Sequence, residues 1–288
     1  MTDRRVAWCS LLAVLLLTAP ASADVFHFST DGPDGRMAAG SRPATPGKTE
    51  IEAADDFVTS QTTTIQHASF TGLVTGAAGP GIVGEVTVEI YRAFPLDSTN
   101  PPSGAVPTRV NSPSDGAFAS ADSAATLTFS TTTLTATFTA SSSVLNGINP
   151  LPNPTTGGES AVTGQEVTFD VTFNPPLVLP ANHYFFVPQV QVTGGEFYWL
   201  SAAKPISATG TPFASDLQSW IRDAALAPDW LRIGTDIVGG VTPPTFNAAF
   251  SLDGETVAAP APVPALSTLG LLVLSLLLAG VAIFRLRS

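Results

Sequence analysis

Four acidic residues and two aromatic ones offer the most chemistry in this chain. Asp55 and Asp56 sit side by side ahead of Phe57-Val58, and Asp31-Gly-Pro-Asp34-Gly lies upstream in a turn-rich stretch. Carboxylates are hard oxygen donors, and one of Asp55 or Asp56 could join Asp31 or Asp34 around a calcium ion, which takes six to eight oxygens including backbone carbonyls. The competing use of short acids is to cap turns and accept nearby amide hydrogens. Successive side chains of a strand leave on opposite faces, so Asp55 and Asp56 are not expected to share one site. Tyr198 and Trp199, within Glu196-Phe-Tyr-Trp, offer surfaces that stack on a glycan, or else fill a core.

Other constellations are missing. His27, His67 and His183 are too far apart in sequence for a local zinc pattern. Neither Gly-x-Ser-x-Gly nor His-Glu-x-x-His occurs, and Gly158-Glu-Ser160-Ala is half of the former. No phosphate-cradling or dinucleotide-binding loop is present. With no catalytic set in view, the expectation is a protein that is not an enzyme and that needs no cofactor beyond, at most, calcium.

The elements that would position these residues are strands. Val86-Thr-Val88-Glu-Ile90 and Val167-Thr-Phe169-Asp-Val171-Thr-Phe173 place apolar residues at every second position, the period of a sheet with one face on a core. Similar runs recur between Val25 and Leu252, separated by Gly, Pro, Asn and Asp. Their number and spacing predict an all-β, antiparallel β-sandwich of jelly-roll-like type. One short surface helix is expected where Ser215 and Gln218 form a capping box and Leu217, Trp220, Ile221 and Ala224 share a face ahead of Pro228. Pro95–Ser123 and Gly147–Gly164 read as long loops.

Both ends of the chain carry addresses. Arg4-Arg5, the apolar Leu11–Leu17 and Ala21-Ser-Ala23 have the order of a secretory signal peptide, predicting residues 1–23 as a signal helix cleaved by signal peptidase after delivery by the secretion machinery. Residues 24–255 form the expected ectodomain. Thr256–Pro264, TVAAPAPVP, is a stiff proline-rich linker, and 265–288 is an apolar segment with a basic end. Leu266 to Phe284 would make about 28 Å of helix, enough to cross the hydrocarbon of a bilayer with Arg285 and Arg287 left inside.

The only cysteine, Cys9, falls in the signal segment, so the exported part must be stabilised without disulfides. Losing Asp3, Arg4, Arg5, Arg285 and Arg287 from the chain's 23 acids and 12 bases leaves 22 against 8. That field disfavours nucleic acid as a partner and is compatible with neutral glycans or divalent cations.

The C-terminal segment Val263-Pro264-Ala265-Leu266-Ser267-Thr268-Leu269-Gly270, followed by its apolar run and by Arg285 and Arg287, resembles bacterial sorting signals with the lead Ile-Pro-Thr-Leu-Ser-x-Trp-Gly, relatives of the PEP-CTERM class. Pro264, Leu266, Ser267 and Gly270 agree with the pattern, whereas Val263, Ala265 and Leu269 depart from it. The resemblance implies an exosortase-type membrane transpeptidase as partner, and an exported protein of the cell surface or extracellular matrix. A permanent membrane anchor is the alternative. More loosely, Phe28–Gly35, Ala53–Phe57 and Phe246–Leu252 resemble uncharacterised β-rich domains carried by such proteins, from which no catalytic role follows. The expected function is therefore structural or adhesive at the cell envelope, and the alternative is a carbohydrate-binding module that contacts extracellular polysaccharide.

Overall fold

A computed structural model describes residues 23–76, 82–99, 101, 103–203, 216–257 and 276. The signal segment through Ser22 and the sorting residues Val263, Pro264, Ala265, Leu266, Ser267, Gly270, Arg285 and Arg287 lie outside the described residues. Among those described, no helix is long and apolar enough to cross a membrane.

The described part is all-β. In chain order the strands are β1 (Asp24–Ser29), β2 (Pro33–Gly40), β3 (Ile51–Thr59), β4 (Thr63–Val74), β5 (Val83–Arg92), β6 (Ala119–Asp122), β7 (Leu127–Ala140) and β8 (Ser142–Val144), continuing with β9 (Val162–Leu179), β10 (Asn182–Val192), β11 (Phe197–Ala202), β12 (Trp220–Asp223), β13 (Leu231–Arg232), β14 (Asn247–Ala248) and β15 (Phe250–Thr256). They form two sheets. The first follows β1-β15-β4-β11-β2-β8, with β9 on the other side of β4, β7 beyond β9, and β14 beside β11. The second runs β13-β12-β3-β10-β5-β6. All pairings are antiparallel except β2 with β8.

Alternation decides which side chains meet between the sheets. Val86, Val88 and Ile90 of β5 and Val167, Phe169, Val171 and Phe173 of β9 are buried in one core, as the period-two pattern requires. Aromatic rings join the layers: Phe186 of the second sheet stacks on Phe250 of the first at 5.2 Å and meets Phe70 of the first at 6.2 Å. Each such ring removes a large apolar area from water, which stabilises a sandwich-like core without disulfides.

The expected surface helix is corrected. Ser215 lies outside the described residues, and Trp220–Asp223 is strand β12, paired with Asp223 opposite Ile51 and Trp220 opposite Ala54 of β3. Spacing of i, i+3 and i+4 implies a helix only if one face stays wet. Here Leu217 through Arg222 are all buried, including Gln218, Ser219 and Arg222, so the segment is covered on both sides and suits a strand. The helical turn lies instead at Ile233–Val238. Arg232 closes that turn, since both its backbone N–H (2.8 Å) and its guanidinium (2.6 Å) bond the Asp236 carboxylate. Gly234 is required there because a Cβ would stand 2.0 Å from the Pro244 carbonyl oxygen.

The loop between β5 and β6 covers the outer face of the second sheet. Arg109 pins it to Asp229 at 2.6 Å and closes it on itself through Asp115 at 2.7 Å, and the Trp230 indole N–H donates to the Ser114 carbonyl. Beneath it lies a second core of Ala54, Tyr91, Phe185, Val187, Leu217, Trp220 and Trp230. That cover explains why nearly every residue of β3 is buried despite facing alternately inward and outward.

Candidate functional site

The four candidate calcium ligands are held apart. Asp31 occupies the exposed turn after β1 with φ 65°, and its N–H bonds the Ser29 hydroxyl. Asp34 accepts from the Ser201 hydroxyl at 2.5 Å and from the Arg36 N–H at 3.0 Å. Asp55 looks between the sheets, where it accepts the Ala248 N–H at 2.8 Å. Asp56 leaves β3 on the opposite face, where it accepts the Leu217 N–H and meets His183 Nε2, both at 2.7 Å. Among the described residues no three His, Cys, Asp or Glu side chains group to hold a metal. Asp34, Asp55 and Asp56 fasten turns and strands.

Asp55 shows how. Burial raises its pKa well above the ordinary carboxylate value, and the neighbouring Asp56 charge adds to the rise. Its Oδ1 lies 3.1 Å from the Ser219 hydroxyl, which is 2.9 Å from the Phe246 carbonyl, a group able only to accept. The Phe246 carbonyl also accepts the Ser219 backbone N–H at 2.8 Å, so the Ser219 hydroxyl can donate to Asp55. Asp55 thus ties the second sheet to β14 of the first through Ser219 and Ala248.

The aromatic platform is corrected as well. Trp199 is 1 % exposed, packs on Phe186 and Phe250, and donates its indole N–H to the Ala249 carbonyl at 2.9 Å. Tyr198 is buried on the other face of the first sheet with Ala38, Leu73, Ala140 and Leu200, where β8 joins β2 and folds the sheet over it. Neither ring has a free face on which a sugar could stack.

A cluster that sequence inspection missed lies on the outer face of the second sheet. Arg222 grips Glu52 through Nε and, at 3.1 Å, through Nη2, and it also donates to the Tyr91 hydroxyl at 2.9 Å. Its guanidinium lies 4.3 Å above the Trp230 ring. The Tyr91 hydroxyl is 2.7 Å from Glu52 and 2.9 Å from Glu89. Burial, together with the Glu52 charge, pushes Glu89 up to about 7. Burial likewise raises Tyr91 far above an ordinary phenol. Glu52 and Arg222 are almost fully buried and bond each other and Tyr91, so this ion pair acts as a tie between β3, β5 and β12. The acids stand one per strand at unrelated sequence positions, so only Glu89, alternating with Val88 and Ile90, hinted at its face.

The outer face of the first sheet is different. Register aligns Thr128, Thr172, His67, Asp253 and His27 in one row across β7, β9, β4, β15 and β1. The next row is Ser130, Asp170, Ser69, Ser251 and Ser29, and a third runs Thr132, Thr168, Thr71. Thr128, Ser130, Thr132, Asp170, Thr172, His67 and His27 are exposed. Within the rows His27 Nδ1 meets Asp253 at 2.6 Å and His67 Nδ1 meets the Thr172 hydroxyl at 3.1 Å. The three rows contain no lysine, arginine or aromatic side chain other than the two imidazoles. This is a flat, wet surface of hydroxyls, imidazoles and two carboxylates, rich in hydrogen-bonding groups held at strand spacing.

No family model, curated protein or solved structure matches this chain.

Proposed function

We propose that the chain is an exported structural or adhesive protein, with a jelly-roll-type sandwich presented outside the cell and the hydroxyl-rich face of the first sheet as its contact surface. The observation that carries this reading is that face: rows of Ser, Thr, His and Asp across five strands, exposed or half-exposed and without lysine or arginine. Such a surface forms many hydrogen bonds with a neutral hydrated polymer and repels anionic ones. Delivery rests on the sequence: the signal segment sends the chain out, and the C-terminal segment holds it at the membrane or hands it to an exosortase-type transpeptidase.

The carbohydrate-binding reading draws on the same face, through hydroxyls and carboxylates and without aromatic stacking. Tags placed after Ala23 and at Ser288, followed by cell fractionation and intact mass, test delivery. Loss of the C-terminal tag with the N-terminal tag outside the cell supports a processed sorting signal, whereas both tags on one membrane-bound species support a permanent anchor. Both tags in the cytoplasmic fraction would defeat the proposal.

A further inference from the structure

A strand at a sheet edge exposes a row of unpaired N–H and C=O groups, and folded proteins blunt such edges with charge, proline or shortness. Among the described residues, five of the six edge strands follow that rule. β1 carries Asp24 and His27, β6 spans four residues and ends on Asp122, β13 has two residues including Arg232, β8 has three and β14 has two. The sixth edge, β7, does not.

β7 is 14 residues long, contains no charged residue and no proline, and is exposed along almost its whole length. It lies inside a stretch from Ser123 to Gly158 with no Asp, Glu, Lys, Arg or His, in a chain of net charge -11. One side of β7 pairs with β9. Among the described residues no strand pairs the other side; only its end is covered, where Ser141 donates to the Gly35 carbonyl and β8 runs along β2. Irregularities after Thr133 bend the later half. Leu127–Thr133, however, matches Phe173–Val167 without a break, a regular ladder of roughly 23 Å at about 3.3 Å per residue. In an antiparallel pair alternate residues aim their backbone groups away from the partner, so this ladder offers hydrogen bonds along its free side.

We infer that this edge pairs with the same edge of a second copy of the chain, antiparallel and about a two-fold axis, joining the two first sheets into one. The unpaired backbone selects a strand as the occupant, and charge selects this one. Two copies of an acidic chain repel, so they can approach closely only where both are neutral. The nearest facing acids are the two Asp170 side chains on β9, opposite Ser130. In the paired arrangement three strand spacings separate them, roughly 14 Å, beyond the screening length of about 8 Å at physiological salt. Because each copy has one such edge, pairing closes at a dimer and does not propagate into a fibre.

The test uses the full chain in mild detergent. Sedimentation of the unaltered protein is expected to give twice the chain mass, and Thr131→Lys or Ser130→Lys is expected to halve it with an unchanged melting temperature. A monomer before substitution overturns the inference, as does a dimer that survives both lysines. Cysteines placed singly from Thr128 to Thr133 in a Cys9→Ser background supply an independent readout. Oxidation is expected to give disulfide-linked dimers that peak at one position and fall away on either side. Equal cross-linking at Glu85→Cys, on the second sheet, would overturn it.

Discussion

The two sheets treat their polar side chains in opposite ways. On the outer face of the second sheet, Glu52, Tyr91 and Arg222 are buried and Glu89 is half-buried, and each is hydrogen-bonded to another. On the outer face of the first sheet, Thr128, Ser130, Thr172 and His67 stand in water. Charges removed from water must be paired, so the first group contributes alignment and stability, and altering one member disturbs the rest. Hydroxyls left in water cost nothing to keep and remain available to a partner. Polar residues on a sheet therefore signal a binding surface only where nothing covers them.

The largest test of this contrast is Arg222→Met. It leaves Glu52 buried without its cation, and unfolding in urea should show a loss of about 3–5 kcal/mol, the range for breaking a buried pair. A loss below 1 kcal/mol would mean that the cluster is wet and equivalent to the open face. Asp55→Ala should follow at about 1–3 kcal/mol, because the buried Ala248 N–H and Ser219 hydroxyl lose their partner. Asp55→Asn, an isostere of the neutral acid, should recover most of that loss.

A pH series separates the two faces by sign. Glu89 is raised in the folded state from 4.5 to about 7, so the folded protein binds its proton more tightly than the unfolded chain. Stability from that proton is complete below about 4.5 and disappears as pH rises through about 7. Asp55 is shifted in the same direction, and its contribution likewise falls with rising pH. The melting temperature should therefore decline between pH 5 and 8, and Glu89→Gln should flatten part of that decline. A melting temperature that rises over this interval would contradict the upward shifts of Asp55 and Glu89.

On the open face the effects on stability shrink. Thr172→Ala and Ser130→Ala should alter unfolding free energy by no more than about 0.5 kcal/mol, as exposed substitutions usually do. The same variants should weaken retention on an insoluble neutral polysaccharide, which fluorescence depletion would measure. Retention unchanged by both would remove this face from the proposed function. Smallest of all, a chelator should leave the melting temperature where it was, since Asp31, Asp34, Asp55 and Asp56 are spoken for by protein donors or stand alone. A drop of several degrees would restore calcium.

Much of the architecture was legible. Period-two runs such as Val86–Ile90 and Val167–Phe173 gave strands with the correct faces, because alternation follows directly from strand geometry. The opposite orientations of Asp55 and Asp56 followed from the same rule. Trp220 and its neighbours misled because a segment covered on both sides has no wet face, and its apolar spacing then fits a helix as well as a strand. Tyr198 and Trp199 misled for a related reason: an aromatic pair reads alike whether its rings meet a ligand or a core, and burial depends on what folds over it.

The sequence by itself determined the strand-forming segments, the acidic and cysteine-free character of residues 24–264, and the uncharged stretch that contains β7. Those properties are local or compositional, so no partner elsewhere in the chain is needed to set them. Only the tertiary structure decided that Glu52, Glu89 and Arg222 share one buried network, that Thr128, Thr172, His67, Asp253 and His27 form one row, and that β7 is left with a free side. Each of these depends on which strands become neighbours and in what register. That choice is made by long-range burial of aromatic and aliphatic side chains between the sheets, and no single segment encodes it.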